Sequence, residues 1–149
     1  MLQPVSVGQK ALADYRHLAG QALIEEIREL AEPLKGKRIL HVMEFRHPSW
    51  YVPETFQLLE RRKVVLCLHD KHGSAIVEPF VGPCVYLRFH GTSGMYQGSY
   101  SSRQLDRWAR RLAEQAADGK PVFAYFNNDP DAVAVANAKR LRAAVDELI

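Results

Sequence analysis

The stretch Val64–Asp70, VVLCLHD, decides the fold. A strand with one wet face alternates apolar and polar residues, and this one does not. Val64 to Leu68 is continuously apolar, and polarity arrives only with His69 and Asp70. A short run of that kind suits a strand covered on both faces, as in a parallel sheet. Three further runs have strand character: Arg38–Arg46 (RILHVMEFR), Val85–His90 (VYLRFH) and Val122–Asn127 (VFAYFN). Each is short, rich in β-branched or aromatic residues, and bounded by turn formers.

Helical patterns separate these runs. Leu23, Ile27, Leu30 and Leu34 recur at helical spacing before the first strand, and Pro53-Glu54 opens a short helix through Phe56, Leu59 and Glu60. Ser101–Gln104 reads as a capping box: the serine oxygen accepts a free N–H while Gln104 reaches back. Leu105, Trp108, Ala109 and Leu112 form the stripe of that helix, Gly119 suits its left-handed end, and Pro121 prevents continuation. Asp129-Pro130 is expected to cap and open the last helix, with Val133, Val135, Ala138, Leu141, Val145 and Leu148 on its buried side. Lys71–Pro83 has no helical pattern, and Gly91–Tyr100 (GTSGMYQGSY) reads as a mobile binding loop.

The order α-β-α-β-loop-β-loop-α-β-α implies parallel strands joined by right-handed crossovers. Two architectures fit: part of a (β/α)₈ barrel, or a small doubly wound parallel sheet. Both bind ligands beyond the carboxyl ends of their strands.

Composition narrows the class. The chain has 149 residues, 47% hydrophobic and 25% charged, which is ordinary for one globular domain. No apolar run approaches the ~18 residues that span a bilayer. The N-terminus, MLQPVSVGQKALADY, has no basic-then-apolar signal pattern, so the expected location is the cytoplasm. Cys67 and Cys84 sit in apolar surroundings and read as buried, reduced thiols, with no zinc-type spacing. The formal charge of +3 comes largely from arginines at helical spacing, which favours solvated faces over a nucleic-acid groove.

The polar residues gather at strand ends. Glu44 and Arg46 lie two apart on one side of the first strand and lead into His47 and Trp50. His69-Asp70 ends the second strand, where a histidine can act as base, acid or metal ligand. Arg88 and His90 share a face of the third strand, a pair that suits a carboxylate, phosphate or sugar hydroxyl. Tyr125 and Asn127 share a face of the fourth, followed by Asn128, and Tyr96 and Tyr100 stand in the glycine loop, where either ring can stack on a ligand. Plainer readings compete: a structural Glu44–Arg46 pair, Asp70 as a turn cap, and tyrosines that only pack. No P-loop, GxGxxG, GxSxG or HExxH occurs. Four strands with polar residues at the same end nevertheless mark one mouth, because a core would place apolar groups there.

Taken together, EFRHPSW (44–50), CLHD (67–70), YLRFHG (86–91), the Tyr-x-Gly-x-Tyr of Tyr96–Tyr100, LDRWA (105–109) and AYFNND (124–129) resemble the DUF72, or YecE-like, family. The resemblance runs over roughly residues 20–149, leaving 1–20 as a divergent helical segment. It implies a TIM-barrel-like fold of which this chain supplies about four β/α units. A full barrel takes ~250 residues, so the resemblance implies a C-terminal half, truncated on its N-terminal side. A homodimer, or a separately encoded N-terminal half, is then the expected partner.

Kinship of the fold with sugar isomerases and metal-using barrels makes an isomerase or metal-assisted hydrolase the enzyme class to consider, with a divalent metal as the cofactor to consider. The leading expectation is an enzyme, or enzyme half, acting on a small polar substrate such as a sugar or phosphate ester. Glu44, His69 and His90 are its candidate catalytic groups, and Arg46, His47, Trp50, Asp70, Arg88, Tyr96, Tyr100, Tyr125, Asn127 and Asn128 its candidate binding groups. The alternatives are a non-catalytic nucleotide or nucleic-acid binding module and an inactive truncated paralogue.

Overall fold

The computed structural model describes residues 40–149, apart from Ser74 and Met95. The expected helix through Leu23–Leu34, the 1–20 segment and the start of the first strand lie outside the described residues. Four strands form one sheet: β1 (Val42–Met43), β2 (Val65–His69), β3 (Val85–Phe89) and β4 (Val122–Phe126). All three pairings are parallel, and the strands run in sequential order with no reversal. Right-handed crossovers in such a sheet all return over one face. This is the half-barrel arrangement of β/α units expected from the sequence.

Leu66, Leu68, Val85, Leu87 and Phe89 project to the helix-covered face and are buried. The Phe89 ring meets Trp108 edge-on at 5.5 Å and stacks on Phe126 at 4.4 Å. Such pairs add to the area that each ring removes from water. The opposite face carries Val65, Cys67 and His69, then Tyr86 and Arg88, then Phe123 and Tyr125, in lateral register. It is closed at β2 and open at β4, where Phe123 and Tyr125 remain 40% and 45% exposed.

Helix α1 (Pro53–Arg62) begins on proline and ends at Lys63 in the left-handed conformation. Helix α2 (Ser102–Ala117) has the expected capping box on Ser101 and Gln104, and Gly119 follows it at φ +81°. Its buried residues are Leu105, Ala109, Leu112 and Ala113.

Helix α3 (Val133–Asp146) departs from expectation. Pro130–Ala132 is a separate 3-10 turn, Asp129 makes no side-chain cap, and Asp131 and Ala132 are left-handed at φ +59° and +56°. These two residues reset the phase of the helix. The buried stripe becomes Ala134, Asn137, Leu141 and Ala144, while Val135 and Leu148 face outward. Small residues let α3 pack closely on α2, which outweighs the bulkier β-branched positions that the sequence pattern favoured.

The described residues of Lys71–Pro83 contain no helix, as expected. It folds back so that Ile76 and His69 exchange two backbone hydrogen bonds of 2.8 Å. Gly82 lets this connection run against β2: a Cβ there would lie 2.7 Å from the Val64 carbonyl oxygen. Cys67 and Cys84 are free and buried, as the apolar context implied. Among the described residues, no helix is long and apolar enough to cross a membrane.

Candidate functional site

The carboxyl ends of the strands bring four predicted residues into one polar cluster. Arg88 Nη1 donates to Glu44 Oε2 at 2.5 Å, and Arg46 Nη2 lies 2.9 Å from Glu44 Oε1. With the Asn127 amide oriented to match its surroundings, Oδ1 accepts from Arg88 Nη2 at 2.8 Å and from Nε at 3.3 Å. Arg88 is therefore held in its own plane by a carboxylate on one side and an amide on the other. Burial favours its neutral form, but the charge and hydrogen bond of Glu44 prevail and raise its pKa further. Two arginines against one carboxylate leave the cluster with a surplus positive charge.

His69 and His90 form the second part of the site. His69 stands opposite Arg88 in the ladder, and His90 follows two residues later on the same face. They are 0% and 4% exposed, with ring centroids 5.8 Å apart and nearly perpendicular. His69 Nε2 lies 3.1 Å from both the Phe45 carbonyl oxygen and the Tyr51 hydroxyl, while Nδ1 has no partner among the described residues. Among the described residues, neither ring nitrogen of His90 has a hydrogen-bond partner, although Nδ1 lies 3.5 Å from Asp70 Oδ1. Desolvation lowers the pKa of both rings, so both are neutral near pH 7. Buried polar atoms are normally paired, and unpaired ones call for an explanation.

Tyr51 belongs to this site, and the sequence reading passed over it. Its hydroxyl donates to the Phe45 carbonyl at 2.6 Å. Burial, with Glu44 nearby, pushes its pKa up to about 12, which keeps the phenol a donor. Its place in the chain gave no signal beyond its following Trp50, because the contact joins residues 18 apart.

Other predicted residues hold the rim. Asp70 accepts from the His90 backbone N–H at 2.7 Å and from the Tyr100 hydroxyl, which itself accepts from the Gly91 N–H at 2.7 Å. Tyr100 is buried against Phe89 and Phe126 and offers no free ring to a ligand. Asn128 is fully buried and donates to the Gly98 carbonyl at 2.8 Å and to Asn137 Oδ1 at 3.0 Å. Asn137, also unforeseen, accepts from the Tyr100 N–H at 3.2 Å and donates to Ser99 Oγ at 3.0 Å. The apolar stripe read from the sequence left position 137 outside it, so the sequence carried no signal for this residue.

Described residues of the 91–100 loop are thus tied by hydrogen bonds to Asp70, Asn128 and Asn137. Gly91, at φ +96°, makes this possible, because a Cβ there would collide with the Gln97 carbonyl. Tyr96 is the loop residue that reaches the site, with its ring 5.6 Å from His90.

Tyr125 lies beside Arg88 in register, half exposed, with its ring 5.0 Å from Tyr86. His47 and Trp50 turn to local tasks. His47 Nδ1 accepts from the Ser49 N–H at 3.2 Å, and Trp50 stacks on Phe45 at 5.0 Å. Glu44, His69 and His90 are not gathered into a metal-ligand set. Among the described residues, no group of three His, Cys, Asp or Glu side chains is arranged to hold a metal.

Comparison with known proteins places the chain in a family. A DUF72 family protein from Enterococcus faecalis V583 superposes with a TM-score of 0.72 at 19% identity, covering 87% of this chain and 54% of that one. A DUF72 family protein from Thermotoga maritima MSB8 gives a TM-score of 0.72 at 21% identity, covering 89% and 55%. The chain therefore spans about half the length of these solved relatives. A trehalose synthase from Rubrobacter xylanophilus is 52% identical over 42 residues, which is 28% of this chain and 10% of that protein. The family described as "Protein of unknown function DUF72" matches residues 14–148, and the chain belongs to it.

Proposed function

We propose that the strand-end cluster binds a small anionic, hydroxyl-bearing molecule, a phosphate ester or a sugar derivative, and supplies acid–base chemistry to it. The observation that carries this reading is the pair of buried, neutral imidazoles with unpartnered nitrogens beside the Arg88–Glu44–Arg46 cluster. Guanidinium groups take anions through paired N–H donors. A neutral imidazole with a free lone pair accepts a proton from a hydroxyl within reach. In this reading Arg88 and Arg46 hold the anion, Asn127 and Tyr125 flank it, and His69 and His90 serve the reacting end. The short match to a trehalose synthase is a reason to include sugars among the ligands tested.

Calorimetry with inorganic phosphate, glucose 6-phosphate and trehalose tests the proposal. The expected result is saturable binding of the phosphorylated ligand, weakened at least about tenfold in Arg88→Met, a loss of roughly 1.4 kcal/mol. A folded wild-type sample that binds none of the three overturns the reading.

We also propose that the site works within a completed barrel, with this chain as its C-terminal half and a second segment of β/α character covering the open face. Exposed Phe123 and Tyr125 on that face and the half-length match to solved relatives support this. Light scattering on the chain alone tests the homodimeric form, and a stable monomer rejects it.

A further inference from the structure

We propose that Tyr51 and the Phe45 carbonyl hold His69 as its Nε2–H tautomer, so that Nδ1 is the proton-accepting atom the site offers, and that the ligand places a hydroxyl there. The tautomer follows from the hydrogen-bond geometry of the protein alone. The ligand clause rests on the reading above.

The argument compares the two neutral tautomers. His69 Nε2 faces two oxygens at 3.1 Å, the Phe45 carbonyl and the Tyr51 hydroxyl. The carbonyl has two lone pairs and can accept from both Tyr51, at 2.6 Å, and His69. With the proton on Nε2, every donor in this triangle has an acceptor, and only the Nδ1 lone pair is left over. With the proton on Nδ1, two faults arise together. The Nε2 lone pair would oppose the lone pairs of Phe45 at 3.1 Å, and a buried N–H would point from Nδ1 at no acceptor. Nδ1 is unpaired in either form, so the Nε2–H bond to the Phe45 carbonyl, which the other form replaces with opposed lone pairs, makes the first tautomer dominate.

Tyr51 is a positioning residue here, because it acts on the ligand only through His69. Its hydroxyl occupies one lone pair of the Phe45 carbonyl and fixes the direction of the triangle. The Nδ1 atom that remains is fully buried and unpartnered, on a side chain held at the same strand ends as Arg88. A buried acceptor beside an anion-binding arginine calls for a ligand with an anionic group and a hydroxyl donor. Sulfate, which has the charge and no proton to give, meets only half of that requirement.

Nitrogen-15 NMR of histidine-labelled protein at mildly alkaline pH reads the tautomer directly. The His69 signals are assigned by their loss in His69→Gln. The expected wild-type pattern is a protonated-type Nε2 and a lone-pair-type Nδ1, and the reverse pattern overturns the proposal. In Tyr51→Phe, which removes one of the two oxygens facing Nε2 and leaves the Phe45 carbonyl, the Nε2–H pattern is expected to persist with a displaced Nε2 signal. Unchanged shifts in that variant remove Tyr51 from the mechanism. Should it fail to fold, the wild-type spectrum still decides the tautomer.

The ligand clause is tested by titrating wild-type protein with glucose 6-phosphate and with sulfate. Movement of the Nδ1 signal with the sugar phosphate and not with sulfate is expected, and equal movement with both overturns the hydroxyl requirement. Binding of neither, with the Nε2–H tautomer intact, overturns the proposed function and leaves the tautomer assignment standing.

Discussion

A double-mutant cycle on Glu44 and Arg88 probes the centre of the site. The single variants are Glu44→Gln and Arg88→Met, and the pair closes the cycle. The Arg88 and Glu44 side chains are 32% and 15% exposed, so the pair belongs neither to the surface nor to the deep interior. At an effective dielectric of about 20 and a charge separation of about 4 Å, the attraction is roughly 4 kcal/mol. Desolvation of two part-buried charges offsets much of it, and solvent screens the more exposed guanidinium. A net coupling of about 1–3 kcal/mol is expected, above the 0–1 kcal/mol of surface pairs.

The double change should therefore destabilise the fold by less than the sum of the two single changes. Arg88→Met should cost the most, because it also strips Asn127 of its donors. The assay is urea unfolding of all four proteins at one pH, compared at constant slope. A coupling below about 0.5 kcal/mol would show that Glu44 and Arg88 meet as an ordinary surface pair, and the account of a pre-organised anion site would fall with it.

Three further outcomes are expected. Asn137→Ala leaves the Tyr100 N–H and the Asn128 amide without their shared acceptor and should cost about 2–4 kcal/mol; hydrogen exchange at the Tyr100 amide should rise with it, and unchanged protection would refute the pinned loop. Gly82→Ala places a Cβ within 2.9 Å of two backbone atoms at φ +98° and should destabilise by about 2 kcal/mol or more; a melting temperature within a degree or two of wild type would contradict this. The third concerns pH. His69 and His90 have lowered pKa values in the fold, so the unfolded chain binds protons first as pH falls below about 6.5. Stability is full above that pH and should decline below it by up to about 1.4 kcal/mol per pH unit for each ring. Replacing both rings with glutamine should flatten that limb, and a limb of unchanged slope would assign it to other groups.

The capping box on α2 shows why some of the structure could be read from the chain. Its partners, Ser101 and Gln104, lie within one helical turn, so local sequence specifies them. The strands could be read for a similar reason: Val64–Leu68 is apolar on both faces, and parity puts Glu44 with Arg46, Arg88 with His90 and Tyr125 with Asn127 on one side of their own strands. Helix α3 marks the limit. Bulky Val135 and Leu148 dominated its pattern, yet Ala134, Asn137 and Ala144 face the core, because helix–helix approach selects small side chains that hydrophobic spacing discounts.

The four polar strand ends were thus determined by the sequence itself, since strand period and apolar patterning are local properties. Which of those residues are engaged in holding the loop was decided only by the tertiary structure. Asp70, Tyr100 and Asn128 looked like members of the mouth, and folding turns them into struts of the 91–100 loop. Tyr51 looked like nothing in particular, and folding sets it on His69. The difference is physical: a side chain's role at such a site depends on which donor or acceptor lies across a gap of three ångströms, and those partners come from residues 18 to 44 apart in the chain.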